Sequence, residues 1–395
     1  MKNKIAYIGC LSLIGVISTE FGVIGILPQI ADYYKITIDK AGILLSAFAM
    51  VAAIAGPFLT VFTSGINRKK LMAISMTIFL ITGIVSSFSP PFWLLLSVRL
   101  LPAFLHPALV SAAVGAATAS ADKKDAHKMM AIVIGGVGLA TITTIPFATF
   151  IASVFDNWQA SFMVQTVISM SAVLAIWLGL PTMPVIAQKG YGTQFKILKK
   201  PLFIASSIFT FLMNGTMFTT YSYFADYLGK INGLAPKTIS LMLLLFGITG
   251  VLGNFVAGKL LSRNITATTA SFLVGLTLIS IPLYYAGAMS PWVIVLIAVW
   301  GFFHTPCFLT GQAYMIETAP EAPEFANSVS ISFGCLGISL GTAISGVSIA
   351  KFGLHSAPWV MLLFGGLALV SLIVKEAMQN RQYHLQINLI PTNVK

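Results

Sequence analysis

Charge is scarce in this sequence: Asp, Glu, Lys and Arg make up 9% of its 395 residues, whereas globular proteins average about 25%. The scarcity is greatest in long stretches that carry no charge at all, among them 41–67, 71–98, 100–121, 129–155 and 201–225. Each exceeds the roughly 20 residues that a helix needs to cross a ~30 Å hydrocarbon core. A water-soluble fold is excluded, because it could not bury so many such stretches.

Cysteine is also rare, and the common signatures of enzyme chemistry are missing. Cys10, Cys307 and Cys335 lie in apolar runs, without the spacing of a metal site or a disulfide framework. The sequence has no Gly-x-x-x-x-Gly-Lys-[Ser/Thr] loop for ATP phosphates and no His-Glu-x-x-His zinc motif. We therefore expect no metal, no cofactor and no enzymatic activity.

The apolar runs divide into twelve predicted membrane-spanning helices, named spans 1 to 12. Their predicted limits are 5–28, 42–63, 71–88, 92–116, 129–152, 161–180, 202–225, 238–260, 267–288, 292–316, 327–350 and 358–377. A helix satisfies its own backbone hydrogen bonds, and a bilayer core offers no other partner. The predicted fold class is therefore an all-α membrane protein with twelve transmembrane helices.

The net charge of +12 indicates topology rather than nucleic-acid binding. Few basic residues fall on one side of the predicted spans, namely Lys35, Lys40, Lys230, Lys237 and Lys351. Arg99 lies inside span 4, and the other basic residues, Lys375 among them, fall on the side that carries both chain ends. Because basic residues are enriched on the cytoplasmic side of membrane proteins, both termini are predicted to be cytoplasmic. The expected partner of this basic side is membrane lipid.

Two internal matches indicate a duplicated half. Ala103-Phe104-Leu105-His106 in span 4 corresponds to Gly301-Phe302-Phe303-His304 in span 10, and 198 residues separate the two histidines. Ala31-Asp32-Tyr33 after span 1 corresponds to Ala225-Asp226-Tyr227 after span 7. Parallel repeats of this kind place a substrate site near the middle of the bilayer, between the halves.

The boundary between the halves falls at a link that contains Pro, Gly and several lysines. We predict an amino-terminal six-helix bundle at 1–180, a cytoplasmic linker at 181–201, and a carboxy-terminal six-helix bundle with a short cytoplasmic tail at 202–395. The two bundles are expected to be pseudo-symmetric.

Several groups of residues carry a resemblance to a known family. They are Thr19-Glu20-Phe21 with Gly25-Ile26-Leu27-Pro28, 64–71, Arg99 with 103–106, 136–146 with 158–162, and Tyr221-Ser222-Tyr223. With these residues the chain resembles a major facilitator superfamily transporter of the drug:proton antiporter branch. Within that branch it resembles bacterial sugar-efflux and arabinose-efflux-type permeases most, with purine-nucleoside exporters nearby. The resemblance covers nearly the whole chain and implies the two-bundle major facilitator fold.

The resemblance implies a monomeric, proton-coupled antiporter in the bacterial cytoplasmic (inner) membrane. It would export small molecules, such as sugars, nucleosides or amphipathic drugs, by alternating access. An importer or uniporter of a small nutrient is the alternative, because Thr144, Ala148 and Ala152 stand where exporters of this branch carry glycine. A receptor or accessory protein without transport is a third reading, and the absence of a sizeable soluble domain argues against it.

Glu20, Arg99 and His106 are the predicted proton-coupling residues, because ionisable side chains inside a bilayer are costly. Glu20 lies about 15 residues into span 1, and Arg99 about 7 residues into span 4, which runs the other way. At ~1.5 Å per residue, their depths nearly coincide in a ~30 Å core, so they can form a pair. A carboxyl whose cation contact changes between states can bind and release a proton. A static ion pair between helices is the alternative.

The predicted substrate cavity is lined by spans 1, 4, 7 and 10. Its candidate residues each bring an aromatic ring or a hydrogen-bonding group: Phe21, Arg99, His106, Asn214, Tyr221, Tyr223, His304 and Gln312. Simple helix packing is the alternative for each of them. Pro107 and Pro306, close to the two histidines, are predicted to bend spans 4 and 10 where they line the cavity.

The loops after spans 2 and 8 are predicted to act in the conformational change. Arg68, Lys69 and Lys70 form the basic cluster of the first loop, and Arg263 is its counterpart in the second. The family signature of this loop carries an Asp before the basic cluster, and Ser64 stands in its place here.

Overall fold

The computed structural model describes residues 2–63, 65–122, 126–183, 196–287, 292–319 and 323–388, which form helices joined by short turns, with no strand among them. Twelve helical spans in this part of the chain are long and apolar enough to cross a membrane. The predicted number of spans and the all-α fold class are confirmed. Ser64 and most of the predicted linker 181–201 lie outside the described residues.

In the first half, two of the six spans are interrupted. Span 1 consists of the helices Lys2–Phe21 and Leu27–Tyr34, joined through a 3₁₀ turn at Ile24–Ile26, and span 5 consists of Ala126–Leu139 and Ile145–Val154, joined by a π-helical turn at Ala140–Thr144. The other spans are single helices: Ile38–Phe62 in span 2, Arg68–Ser87 in span 3, Phe92–Ala119 in span 4 and Gln159–Gly179 in span 6. Span 4 continues as α-helix through Pro102 and Pro107, so the predicted bend there does not break the helix.

In the second half, three spans are interrupted. The helices are Pro201–Tyr221 and Phe224–Lys230 in span 7, Pro236–Leu261 in span 8, Ile265–Leu278 and Ser280–Tyr285 in span 9, Trp292–His304 and Pro306–Glu317 in span 10, Pro323–Phe352 in span 11, and Ala357–Asn388 in span 12; short 3₁₀ turns lie at Lys196–Lys199 and Leu354–Ser356. Span 10 breaks at Thr305, directly before Pro306, as proline predicts.

An even number of crossings puts both ends of the chain on one side of the bundle, here called the terminal side; the opposite side is the far side. On the terminal side, spans 3 and 9 begin in the same way. The Asn67 side chain accepts hydrogen bonds from the backbone of Lys69 at 2.9 Å and Lys70, and the Asn264 side chain accepts one from Ala267 at 2.8 Å. Such N-caps satisfy the free N–H groups of a first helical turn, and their recurrence supports the duplication.

The two halves share an extensive apolar core toward the far side, and a smaller apolar cluster joins Ala53 of span 2 to Cys335 of span 11. One cluster joins Phe21 and Ile24 of span 1 to Phe218 and Phe224 of span 7, and its first-half members lie in the middle or far part of their spans. Toward the terminal side, a second cluster draws only on residues of the first half, and a third only on the second half. The far side is therefore closed in this conformer.

Tyr223 lies on the far side where the halves meet, in a contact with Gly42 and Gly346 that we call the far-side seam. It follows the helix end in span 7, and its hydroxyl donates to the Thr342 carbonyl of span 11 at 3.1 Å. A Cβ added to Gly42 of span 2 would clash with that hydroxyl, and one added to Gly346 of span 11 would lie 2.5 Å from it. The two glycines thus provide the space in which the tyrosine closes the seam.

We expect Gly42→Val to weaken the closure of the far side, because the added side chain meets the Tyr223 hydroxyl across the two halves. Overpacking of a tight contact typically costs about 1–3 kcal/mol. The measurement is the rate of maleimide labelling of an Ala31→Cys reporter, which is buried beside Tyr223 in the same cluster. Labelling should be several-fold faster than in the reporter alone.

Gly138→Val is the matched control, because a Cβ there meets nothing within 4 Å. The three native cysteines are buried, and labelling of the parent protein gives their background. Equal labelling rates in the Gly42 and Gly138 variants would show that this seam does not control access.

Candidate functional site

The first half places a carboxyl, a guanidinium and an imidazole together in the middle of the bundle. Glu20, Arg99 and His106 are all buried, with 1%, 0% and 6% of their surfaces exposed. Nδ1 of His106 lies 3.6 Å from Oε2 of Glu20. The three predicted coupling residues therefore converge on one small region between spans 1 and 4.

Arg99 reaches span 1 through the backbone rather than through the carboxylate. Its Nη2 donates to the carbonyl of Thr19 at 2.8 Å, and its charge acts on Glu20 through space. Among the described residues, no ion pair joins Arg99 directly to Glu20. The predicted pairing thus takes the form of a neighbouring charge, and His106 is the closer partner of Glu20.

Glu20, Arg99 and His106 form a cluster, here called the charged corner, that is incompletely hydrogen-bonded. Both carboxyl oxygens of Glu20, Nε and Nη1 of Arg99, and Nδ1 of His106 are buried without a hydrogen-bond partner among the described residues. Two aromatic rings cover the guanidinium, since its Cζ lies 6.0 Å from the ring centre of Phe48 and 5.4 Å from that of Phe162. Unsatisfied buried polar groups are rare and are often found at functional sites.

Close packing around the break in span 1 fixes the carboxyl in this corner. Glu20 is the penultimate residue of the helix Lys2–Phe21. A Cβ on Gly22 would lie 2.6 Å from the Gln165 amide of span 6, and one on Gly25 would clash with the Thr149 hydroxyl of span 5. Only glycine allows the backbone after Glu20 to approach these neighbours so closely.

The second half repeats the corner with apolar residues in place of the charges. At the offset of 198 residues, His106 corresponds to His304, Phe48 to Phe246, Glu20 to Phe218 and Arg99 to Ile297. The ring of His304 lies 5.0 Å from Phe246 and 5.8 Å from Phe218. The geometry therefore reproduces the predicted register, and the second half has Phe218 and Ile297 where the first half has its charges.

His304 also repeats a backbone contact of the first half. Its Nε2 lies 3.1 Å from the carbonyl of Met217, and Met217 corresponds to Thr19, whose carbonyl binds Arg99. Because a carbonyl only accepts hydrogen bonds, Nε2 carries the proton and Nδ1 is the free acceptor. That Nδ1 is buried and has no partner among the described residues.

The remaining predicted cavity residues lie at different levels of the bundle. Phe21 packs on Phe218 across the two halves at 4.9 Å, and Tyr221 stacks on Phe246 at 4.8 Å. Asn214, nearer the terminal side, donates to the carbonyl of Thr210 in its own helix at 2.9 Å. Gln312 is half-buried in the terminal-side piece of span 10. Tyr223 lies farther out, in the far-side seam described above.

The basic loop after span 2 is docked on its own half. Nη1 of Arg68 donates to the carbonyl of Gly115 in span 4 at 2.6 Å, and Nζ of Lys69 donates to the carbonyl of Trp177 in span 6 at 3.1 Å. Cations are favourable at the carboxyl ends of helices, where carbonyls lack intrahelical partners. Lys70 and Arg263 are exposed.

A second buried charge cluster ties spans 9, 10 and 12 together, and sequence reasoning missed it. Lys375, counted above with the terminal-side charges, is fully buried. Its Nζ contacts Glu376 at 3.1 Å and Gln379 at 2.6 Å, and it lies 4.1 Å from the ring centre of Tyr314. Glu376 also accepts from Tyr314 at 3.0 Å and from Thr266 at 3.2 Å. This carboxylate is held by three donors, whereas Glu20 has no donor in the described part of the chain.

A family model of the Major Facilitator Superfamily matches residues 9–230 and 208–383. The chain belongs to this superfamily. The resemblance seen in the sequence is thereby confirmed, and the protein is a membrane transporter rather than an enzyme.

Curated relatives agree with this assignment over most of the chain. The chain is 28% identical over 357 residues to the inner membrane transport protein YdhP of Escherichia coli K12, covering 90% of this chain and 92% of that protein. It is 27% identical over 356 residues to a probable sugar efflux transporter of Helicobacter pylori P12, covering 89% and 90%. Together with the twelve spans, these relatives support a multi-pass inner membrane protein.

Solved structures show the same fold. A crystal structure of the nucleoside transporter NupG superposes with a TM-score of 0.70 at 19% identity, covering 95% of this chain and 98% of that one. A mutant form of NupG gives a TM-score of 0.73 at 17% identity, covering 96% and 100%. At this level of identity the likeness concerns the fold alone.

We expect Lys375→Met to lower the free energy of unfolding by about 1–3 kcal/mol, because it leaves the Glu376 carboxylate without its cation. The double variant Lys375→Met/Glu376→Gln should recover part of the loss, since neither charge then remains. Thermal unfolding of the transporter in detergent measures both effects. Lys351→Met, at an exposed position, is the control, and equal stability of the Lys375 and Lys351 variants would contradict a structural role of the cluster.

Proposed function

We propose that this transporter is a proton-coupled antiporter that exports small molecules by alternating access, with Glu20 carrying the proton. The observation that supports this proposal is a buried carboxyl that accepts no hydrogen bond from any described residue, placed 3.6 Å from His106 and near Arg99. Other carboxyls differ from it: Asp226, also buried, lies 2.9 Å from Nζ of Lys230, and Glu376 accepts three hydrogen bonds. Glu20 can change its protonation without losing a network.

The proposed cycle moves the bundles 1–180 and 202–395 against each other, with 181–201 as their cytoplasmic link. Spans 2 and 11 pack along one side of the interface, where Gly56 faces Ser332 and Ala53 lies in a cluster with Cys335. With the terminal side in the cytoplasm, this conformer is closed toward the outside of the cell. Rocking would open the far-side core and change the neighbours of Glu20, so that the proton is taken up on one side and released on the other.

Arg99 and His106 have distinct roles in this mechanism. The guanidinium stays bound to the Thr19 carbonyl and provides a fixed positive charge near the carboxyl. Deprotonated Glu20 is therefore compensated, whereas protonated Glu20 leaves that charge available to a polar substrate. His106 is close enough to exchange the proton with Glu20 after a small side-chain movement. The docked loop of Arg68 and Lys69 keeps the terminal ends of spans 4 and 6 in place while the bundle moves.

The driving force is sufficient for export. One proton that moves inward across 100 mV supplies about 2.3 kcal/mol, which corresponds to a concentration ratio of roughly 40-fold at ~1.4 kcal/mol per factor of ten. A probable sugar efflux transporter among the relatives favours export of sugars or of similarly sized molecules, such as nucleosides and amphipathic drugs. We propose a monomer in contact with membrane lipid as the working unit.

Import or uniport on the same scaffold is the second candidate, and one contact favours it. Thr144, at a position where exporters of this branch carry glycine, forms a short hydrogen bond with the Ser18 hydroxyl of span 1. The bond ties spans 1 and 5 together within the first half. Equal counterflow rates from both sides of the membrane, independent of a pH gradient, would favour this candidate over export.

We expect Glu20→Gln to abolish transport driven by a pH gradient while substrate counterflow continues, because the amide cannot exchange a proton. The measurement is uptake of labelled hexoses and nucleosides into proteoliposomes, with and without an imposed gradient. Glu317→Gln is the control, since Glu317 is exposed at the end of span 10 and its change should leave both activities intact. Gradient-driven accumulation by the Glu20 variant would overturn the proposed coupling.

We also expect both chain ends to lie in the cytoplasm. A fluorescent protein fused after Lys395 should fluoresce, and alkaline phosphatase fused there should be inactive. A fusion after Phe88, in the far-side turn between spans 3 and 4, should show the opposite pattern. Active phosphatase at the carboxyl end would reverse the proposed orientation.

A further inference from the structure

The corner of the second half differs from the charged corner of the first in a way that points to a ligand. Where the first half has Glu20 and Arg99, the second has Phe218 and Ile297 at the same offset. Both replacements are buried in the apolar cluster that joins the halves. A charged ligand group would have no counter-ion among these residues, and burying it there would be costly. The second half is therefore suited to an uncharged group.

Four residues of this corner form what we call the aromatic box: Tyr221, Phe246, Trp300 and His304. Tyr221 stacks on Phe246 with ring centres 4.8 Å apart and planes inclined by 17°. Trp300 stands edge-on to both rings, at 6.2 Å and 5.4 Å. His304 lies 4.8 Å from Tyr221 and 5.0 Å from Phe246. The face of Phe246 is thus a stacking surface, with the polar ring atoms of Trp300 and His304 on neighbouring side chains.

Two polar ring atoms of the aromatic box are buried and have no hydrogen-bond partner among the described residues. Nε1 of Trp300 and Nδ1 of His304 make no hydrogen bond among the described residues, and the two side chains are 1% and 2% exposed. Nε1 is a donor, and Nδ1 is an acceptor because Nε2 binds the Met217 carbonyl. The two residues are four apart on one helix, and therefore lie on the same face, about 6 Å from each other.

We propose that the aromatic box is the ligand-binding site of the second half, and that it takes an uncharged, planar heteroaromatic ring with a hydrogen-bond donor and an acceptor on its edges. The ring would stack on Phe246, accept from Nε1 of Trp300 and donate to Nδ1 of His304. This proposal rests on the proposed transport function and narrows its substrate class. Aliphatic polyols fit less well, because the box offers a large apolar face and two polar atoms.

The position of Tyr221 explains how a ring enters the box. In this conformer Tyr221 covers the face of Phe246 that the ligand would use. Tyr221 is the last residue of the helix Pro201–Tyr221, and the helix of span 7 resumes only at Phe224. A rotation at this break moves the tyrosine ring aside without unfolding a helix. Binding is thereby linked to span 7, whose next residues form the far-side seam.

The test uses purified full-length transporter in detergent, with adenosine as the heteroaromatic probe, glucose as the polyol and tetraethylammonium as the cation. Affinity is measured by thermal shift, since a ligand that binds the folded state raises its apparent stability. We expect adenosine to bind and the two other probes to bind at least tenfold more weakly. Trp300→Phe keeps a ring but removes the N–H, and should weaken adenosine about three- to tenfold, the usual effect of one lost hydrogen bond.

Trp292→Phe is the matched control on the same span, because Trp292 is 70% exposed and should have no effect on affinity. If Trp300→Phe does not fold, Phe246→Leu tests the same stack and should reduce adenosine affinity to a similar extent. Adenosine binding that is equal in the parent and both box variants would overturn the proposal, as would binding of glucose in preference to adenosine.

The measurement separates this proposal from the proposed proton coupling. Binding in detergent needs no pH gradient, so the adenosine affinity of the parent and its weakening in Trp300→Phe are measured independently of gradient-driven transport. If the parent binds adenosine but its transport does not depend on the gradient, the proposed proton coupling is wrong and the proposed aromatic box still stands. If Trp300→Phe weakens adenosine binding and the Trp292→Phe control does not, the result supports binding in the aromatic box, whatever drives the transport cycle.

Discussion

A polar group inside a bilayer can be satisfied only by the protein itself, and this constraint determines most of the structure. It requires helices throughout the spans, and it turns many Ser and Thr hydroxyls back onto their own helix. The hydroxyl of Ser12 donates to the Ile8 carbonyl at 2.9 Å, and that of Thr277 to the Leu273 carbonyl at 2.7 Å. Other buried atoms have no partner among the described residues: they include several hydroxyls, such as that of Ser75, and, in the middle of the bundle, atoms of Glu20, Arg99, His106, His304 and Trp300.

Two carboxyls, Glu20 and Glu376, show two outcomes of the same constraint. Glu376 is surrounded by donors and fastens three spans, so its charge serves the fold. Glu20 faces a histidine and a nearby arginine without a direct bond, so its charge state depends on neighbours that a movement of the halves can alter. A buried acid with a complete set of donors is a structural element, and one without them is a candidate for chemistry.

The duplicated fold has become asymmetric in its centre. Each half keeps a histidine on the equivalent helix, near an equivalent phenylalanine. The first half surrounds its histidine with charge, and the second with aromatic rings. In the proposed mechanism, this division gives ion chemistry to the first half and ring recognition to the second, while both halves share the same helix geometry.

Much of this arrangement could be predicted from the sequence. Run length predicted the twelve spans because the bilayer fixes how long a helix must be, and the offset between the two histidines predicted the register of the halves. The positions of Glu20 and Arg99 along their spans correctly predicted that the two residues lie at the same depth in the bundle. This comparison of depths did not reveal the contact between His106 and Glu20, because a rise per residue describes the backbone and not the reach of a side chain.

The burial of Lys375 was missed for a different reason, since it depends on which side chains three separate spans bring together. Glu376, Gln379 and Tyr314 compensate a charge that looks exposed when the sequence is considered alone. The break in span 7 that puts Tyr223 into the far-side seam is likewise a tertiary feature, because the glycines that accommodate it lie on spans 2 and 11.

The break at Thr305 divides span 10 into pieces with different freedom. The piece Pro306–Glu317 is anchored to span 12 through Tyr314, whereas the piece Trp292–His304 carries half of the aromatic box and ends at the break. Because the helix is not continuous through the break, a ring that enters the aromatic box would tilt the far-side piece of span 10, while the piece Pro306–Glu317 keeps its contact with span 12.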